Sequence, residues 1–396
     1  MVRVDRQPAP EPARPHGELR SAGGNGGRAC YYLVGPTGYP NYGDELIAAA
    51  WLRHLAEVAP DADVWLDCHS PGPAQVLFDG LHPRVRFVDT LWRLCWHAPS
   101  DEPCDLAAWV QRAVHDPSLA PRWTAGIELL ARADVLHIMG GGYVNAVWPR
   151  HIGLLAGAAA AAGRSGARAV MTGQGLVPAP PGCRELLRGL VDRFDVVEVR
   201  DEASAQLLGR SAALGADDVF LDLGPHLLDP AGDAPQHMLC LQSDLVEGGL
   251  PELAEFTLAT LSGWGVAPDD VGLVEGIPGQ DRVLYDLLSP QLPGCRFYPF
   301  SALWSAGLPA AAGQMWISTR FHTHLLAAAA GAAGVAVDVK PGYYTAKHRS
   351  LIDLGSGWSL TSNLGAPTPC PTGGFPDTVL DRLRSRKRAL AREIYR

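Results

Sequence analysis

Short apolar runs recur along most of this chain, and amphipathic or alanine-rich stretches fall between them. Ten runs read as strands. Residues 30–34, 64–66, 135–139, 169–172 and 196–199 lie in the first half, and 238–242, 271–274, 296–298, 315–318 and 335–338 in the second. Helical periodicity predicts helices over 44–59, 149–163, 251–262, 280–288, 323–333 and 345–354. Strands that are apolar nearly throughout have no polar face to give to water. Both faces of their sheets must be covered, and intervening helices supply the cover if the strands run parallel. At 396 residues the chain is too long for one ordinary core. The expectation is an α/β protein with two Rossmann-like domains of mainly parallel sheet facing a cleft. One large doubly wound sheet with insertions is the alternative.

The richest Pro/Gly stretch in the middle, residues 223–235, reads as the interdomain linker. It separates an N-terminal domain (29–228) from a C-terminal one (229–366). A second such stretch, 367–376, isolates a final helix within 367–396. Val379, Leu383, Leu390 and Ile394 fall on one face of it, so it needs a surface to pack on and is expected to cross back to the first domain. Residues 1–28 are rich in Pro, Gly and Arg and lack the apolar core of a signal peptide, so they read as a disordered tail. Residues 91–123, with Trp92, Trp96, Trp109 and Trp123, read as an irregular insertion able to line the cleft.

The formal net charge is −9 and no basic block occurs, which argues against nucleic acid or an anionic membrane as main partner. An anionic substrate must then be held by a few local cations. Eight scattered cysteines show no CxxC pair and read as reduced core thiols of a cytoplasmic protein. The longest apolar run, residues 325–337, is interrupted by glycines and is shorter than the roughly 18 residues a membrane span needs.

Three segments share one design of strand, glycines and helix: Gly35-Pro36-Thr37-Gly38 with Asn41-Tyr42-Gly43-Asp44, then Gly140-Gly141-Gly142, then Gly173-Gln174-Gly175. Backbone N–H groups at such turns can cradle an anion or a polar substrate. None is a Walker loop or a full dinucleotide fingerprint. After residues 196–199, Asp201 reads as a helix cap. Arg200 does not, because a cation is unfavourable at the positive end of a helix, and it suggests an anionic partner. The segment Trp316-Ile317-Ser318-Thr319-Arg320-Phe321-His322 reads as a strand breaking into a helix. That places a guanidinium and an imidazole at a sheet's C-terminal edge, where open α/β folds bind ligands. His322 and His324 are two apart and would not share a helix face, which argues against a metal site there.

Together these residues resemble the polysaccharide pyruvyl transferase family, from about Tyr31 to Leu354. The landmarks are Asn41-Tyr42-Gly43-Asp44, Gly140-Gly141-Gly142, Gly173-Gln174-Gly175, Val199-Arg200-Asp201, Arg320-Phe321-His322 and Lys347. The resemblance implies a GT-B-like architecture. It also implies transfer of the pyruvyl skeleton of phosphoenolpyruvate, a co-substrate, onto a sugar diol of a glycan or glycolipid, with no metal and no resident cofactor. It places Arg200, Arg320 and His322 on donor-binding and reacting positions. Lys340 and Lys347 compete for the family's late lysine, and Lys347 fits better because Arg349-Ser350-Leu351 follows it as the closing helix does.

In that chemistry His322 is the expected general acid, and Arg200, Arg320 and Lys347 hold the donor's carboxylate and phosphate. Asp44 accepts a proton or a sugar hydroxyl's hydrogen bond, and Asn41, Gly141, Gly142 and Gln174 belong to the substrate-binding set. The expected location is cytoplasmic, at most peripheral to the inner membrane face, with homo-oligomers left open. Two other readings remain: a GT-B glycosyltransferase using a nucleotide sugar, and a non-catalytic sugar-binding relative.

Overall fold

The computed structural model describes residues 27–229, 232–366, 368 and 373–395. The expected tail lies outside them except for Gly27 and Arg28, as does Cys370. Among the described residues thirteen strands build two sheets. The first contains β1 (Cys30–Gly35), β2 (Asp63–Cys68), β3 (Val85–Val88), β4 (Val135–Ile138), β5 (Arg168–Gln174), β6 (Val196–Val199) and β7 (Ala213–Leu214). The second contains β8 (His237–Cys240), β9 (Val271–Val274), β10 (Arg296–Tyr298), β11 (Met315–Ser318), β12 (Ala333–Val337) and β13 (Ser359–Thr361).

The strand orders are β3-β2-β1-β4-β5-β6-β7 and β10-β9-β8-β11-β12-β13. Every pairing is parallel. Both sheets therefore reverse their winding once, between β1 and β4 and between β8 and β11. In such sheets the crevice opens beyond the strand C-termini at the reversal. Two switch points here face one another, and the chain leaving each of these four strands runs into the space between the sheets.

Apolar packing closes one side of that space. The helix Tyr42–Val58 buries Ile47, Trp51 and Leu55 in a cluster that also holds Phe300, Trp316 and Phe321 of the second half. Tyr42 meets Phe300 edge to face at 6.4 Å, and its N–H donates to Gly276 O (2.9 Å).

The terminal helix Asp377–Ile394 crosses back to the first sheet. Its buried face is Leu380, Leu383, Lys387, Ala391 and Ile394, with Val379 and Leu390 packed at the flank. The Lys387 Nζ donates to Asp218 Oδ1 (2.9 Å), Ala216 O (2.7 Å) and Glu198 Oε2. Asp218 also accepts from Trp51 Nε1 (2.7 Å), Gly140 N (2.8 Å) and Thr172 Oγ1 (2.6 Å). Because the Thr172 hydroxyl proton goes to Asp218, the His137 Nε2 donates to Thr172 (2.8 Å) and its Nδ1 accepts from Tyr395 OH (2.7 Å). One buried chain of hydrogen bonds thus ties the terminal helix and Tyr395 to the turn after β4 and to Thr172 of β5.

Several expectations need correction. Strands β3, β7 and β13 are additional, all on the outer parts of the sheets and at most four residues long. Residues 91–123 are mainly helical rather than irregular, with Thr90–His97 and Pro103–His115. Leu106, Val110, Ala113 and Val114 recur at helical spacing and pack under the helix Ile152–Ser165. Cys104 is exposed, and Cys30 and Cys295 are only half-buried, so not every thiol is in the core. No described helix is long and apolar enough to cross a membrane.

Candidate active site

A cavity of about 540 Å³ opens between the two sheets at their switch points. Asn41, Asp44, Gly142, Arg200, Arg320, His322 and Lys347 all line it. Gly141 and Gln174 do not. Gln174 is fully buried, and its Nε2 donates to Met139 O, stitching the turn after β4 to β5. Lys340 lies elsewhere, paired with Glu247 at 3.4 Å.

Arg320 is the N-cap residue of the helix Phe321–Ala329, two positions past the end of β11. The Ser318 hydroxyl donates to its carbonyl (2.9 Å) and accepts from its N–H (3.1 Å), which fixes the turn. Its guanidinium pairs with Asp244 (2.8 Å) after β8 and with the buried Asp281 after β9. Burial opposes the charge, but these two carboxylates outweigh it and keep Arg320 charged. Arg200 is buried behind Gly142. It pairs with Asp217 Oδ2 at 2.7 Å, and its guanidinium lies 4.2 Å from the Phe321 ring centroid. The anion that Arg200 suggested is in part internal, since Asp217 is 1% exposed. The Arg200 Nε is buried without a partner.

Asp217 also faces His322. The imidazole Nε2 lies 3.3 Å from Asp217 Oδ1, close enough for charge pairing but off the line of a hydrogen bond. Burial alone would raise the Asp217 carboxyl. His322, Arg200 and the Val219 N–H outweigh that and hold it well below the usual carboxylate range. The other side of the imidazole rests on Gly43, where an added Cβ would sit 1.7 Å from Nδ1. Only glycine lets the helix Tyr42–Val58 approach His322 this closely. His324 points away into the core, stacked on Trp358 (4.3 Å) and bonded to His348 and Ser356.

Lys347, on the helix Tyr344–Leu354, stands 3.7 Å over the Tyr343 ring. An added Cβ at Gly142 would lie 2.9 Å from both Arg200 Nη2 and Lys347 Cε, so two cations flank one strip of bare backbone. Burial first, then Arg200, push the Lys347 amine well below the ordinary lysine value. Burial raises the Asp44 carboxyl, against the opposing pull of His322, Lys347 and Arg200. Asn41 precedes the helix, its side chain makes no capping bond, and it lines the cavity. Asp201 does cap its helix, accepting from Ser204 N (2.7 Å).

Burial and Arg200 together leave the Lys347 amine under-compensated despite the opposing pull of Asp44 and Asp201. An anion bound beside it would raise the Lys347 pKa, so binding takes up a proton at pH values above the depressed free value and below the raised bound one. Affinity for the anion then falls as pH rises through that window. Calorimetry in two buffers of different ionisation enthalpy should report proton uptake in the native protein and its loss in Lys347→Met. Equal uptake in both would remove Lys347 from the anion site.

Sequence reasoning missed Asp217, Asp244 and Asp281. The pair Asp217-Asp218 inside the apolar stretch Ala216–Leu223 was the available signal, because buried acids need partners.

The sequence profile of the polysaccharide pyruvyl transferase family matches residues 41–341, and the chain belongs to that family. A search of curated proteins finds no significant match. Among solved structures the chain is similar to S. aureus MnaA with UDP (10% identity, 93% of this chain and 89% of that chain, TM-score 0.50). It is also similar to a putative UDP-N-acetylglucosamine 2-epimerase from Listeria monocytogenes (10%, 93% and 90%, TM-score 0.49) and a glycosyltransferase from Rickettsia africae (11%, 93% and 94%, TM-score 0.45). At such identity the likeness to MnaA speaks to the fold alone, which is GT-B-like.

Proposed function

We propose that the protein transfers the pyruvyl group of phosphoenolpyruvate onto two hydroxyls of one sugar, forming a pyruvate ketal and releasing phosphate. The observation that carries this reading is the gathering of Arg200, Arg320, His322 and Lys347 with Asp44 around one cavity of a pyruvyl transferase family member. Arg200 and Lys347 flank Gly142 as a seat for the donor's anionic groups, where low-dielectric surroundings strengthen each contact.

His322 gives a proton to the donor's methylene carbon, making it a methyl group and leaving the central carbon electron-poor. The first sugar hydroxyl forms a C–O bond there, and its proton passes to Asp44, whose raised pKa suits it to accept one. The carbon–oxygen bond to phosphate breaks, the second hydroxyl closes the ring, and its proton leaves with hydrogen phosphate. The proton on Asp44 returns to His322 through solvent. Holding both hydroxyls near one carbon is mainly a positional task for the cleft.

Donor identity separates this reading from a nucleotide-sugar glycosyltransferase. Binding isotherms should show phosphoenolpyruvate saturating the native protein and losing affinity in Arg320→Lys, which cannot reproduce the fork that spans Asp281 and Asp244. Saturation by UDP with no response to phosphoenolpyruvate would overturn the proposal.

A further inference from the structure

The cationic side takes up only part of the cavity. A three-carbon phosphate fills a small share of about 540 Å³, a volume within the range of pockets for much larger ligands. Much of the remaining wall comes from the first half of the chain and is aromatic, while Leu245, Ile277 and Gln280 of the second half line the rest. Trp96 (53% exposed), Trp148 (37%) and Tyr39 (61%) are exposed aromatics, and all three line this cavity. Large rings left in water at the mouth of a cavity mark a surface waiting for an apolar face.

Trp96 and Trp148 are held in place rather than loose. Trp148 stacks on His151 with planes 10° apart, and Trp92 meets His151 edge to face at 4.8 Å. Trp96 is backed by Arg150 (5.6 Å), which is itself held by Cys95 O (2.8 Å) and Asp101. Burial pushes His151 down to about 4, and its Nδ1 lies 2.8 Å from Tyr143 O, so the ring is neutral at pH 7. Trp148 also meets Tyr343 at 6.0 Å, and Tyr343 carries Lys347 on its face. The aromatic wall therefore runs without a break into the donor cations.

We infer that this wall, with Trp96, Trp148 and Tyr39 as its exposed rings, is the acceptor subsite and takes an uncharged pyranose. A pyranose presents a patch of C–H groups on one face and hydroxyls around its edge. Stacking that face on an indole buries apolar area and leaves the edge hydroxyls pointing along the wall to Tyr343 and Lys347. This assignment rests on the pyruvyl transfer reading, which requires two hydroxyls of one ring at the donor.

The test measures binding, not turnover. Methyl glycosides of glucose, galactose and N-acetylglucosamine, methyl glucuronide and UDP are titrated by calorimetry into the native protein, Trp96→Ala and Trp148→Ala. Phosphoenolpyruvate is titrated in parallel. Both substitutions are at exposed positions, and unchanged circular dichroism confirms folding. The expected result is that a neutral glycoside binds, that each substitution weakens it about tenfold (about 1.4 kcal/mol), and that phosphoenolpyruvate affinity is unchanged. Failure of every neutral glycoside to bind, or glycoside affinity indifferent to both substitutions, overturns the subsite. So does a tenfold loss seen for UDP alone, which would make the wall a base-stacking surface. Neutral glycoside binding lost in the variants while phosphoenolpyruvate fails to bind at all would uphold the subsite and sink the donor reading instead.

Discussion

Replacing Lys387 by methionine is expected to cost about 3–5 kcal/mol of folding stability, because it leaves buried carboxylates without their cation. Lys387, Glu198 and Asp218 are all buried, and the lysine's ammonium is shared between both acids and the Ala216 carbonyl. The penalty should depend on pH. Burial would raise the Asp218 carboxyl, but Lys387 and its other partners hold it below the usual value. In the native protein its contribution is therefore present above the unfolded value of about 3.9 and is lost as pH falls through the folded one. Without Lys387 burial dominates, Asp218 and Glu198 rise, and both are most easily accommodated when protonated. The difference between native and variant protein should be smallest in acid and widen toward neutral pH. Chemical denaturation at several pH values would check this. A variant within about 0.5 kcal/mol of native at neutral pH, the usual range for a surface change, would contradict the buried triad.

Removing the imidazole of His322 is the second large effect. His322→Ala should cut turnover by about a hundred- to ten-thousand-fold, the usual share of a positioned acid, with phosphoenolpyruvate binding largely kept. Donor binding survives because Arg200 retains Asp217 and Arg320 retains Asp244 and Asp281. His322→Gln should be nearly as inactive, since an amide cannot deliver a proton. His324→Ala should behave in the opposite way. It vacates space against Trp358 and breaks the bonds to His348 and Ser356, so it should lower stability while leaving per-molecule turnover of the folded protein mostly intact. Turnover beside a donor isotherm for each variant separates the cases, and near-native turnover in His322→Ala would defeat the assignment.

The parts of this structure that periodicity encodes were legible in the chain. Buried parallel strands such as β4 and β11 announce themselves because neither face meets water, and the turns after them are marked by Gly140 and by Arg320. Of the four edge strands, β10 was legible as residues 296–298, whereas β3, β7 and β13 were not. β3 alternates, with Arg86 over Trp65 on one side, and β7 is two residues long, so neither carries a run to detect. The insertion hid its helices because Pro103 starts one of them and tryptophans broke the apparent period.

The cations of the candidate site could be read off the sequence, whereas their counter-charges could not. Asp217, Asp244 and Asp281 sit 17, 76 and 39 residues from the arginines they pair with. Each pairing is made within one half of the chain, where the strand order of its own sheet brings the loops together, and not by any local pattern. Lys387 was illegible for a related reason. Its position shares a helix face with Leu383 and Ala391, but a lysine there reads as the edge of an amphipathic stripe until the acids beneath it are seen.

The most direct test of the account follows the product. The protein is incubated with phosphoenolpyruvate and a panel of glycans, and phosphate release is measured alongside the mass and carbon NMR of the glycan. The account predicts one phosphate per glycan modified, with a new quaternary ketal carbon bonded to two oxygens of a single sugar. Phosphate released with the glycan unchanged, or a glycan gaining a sugar from a nucleotide donor instead, would contradict it.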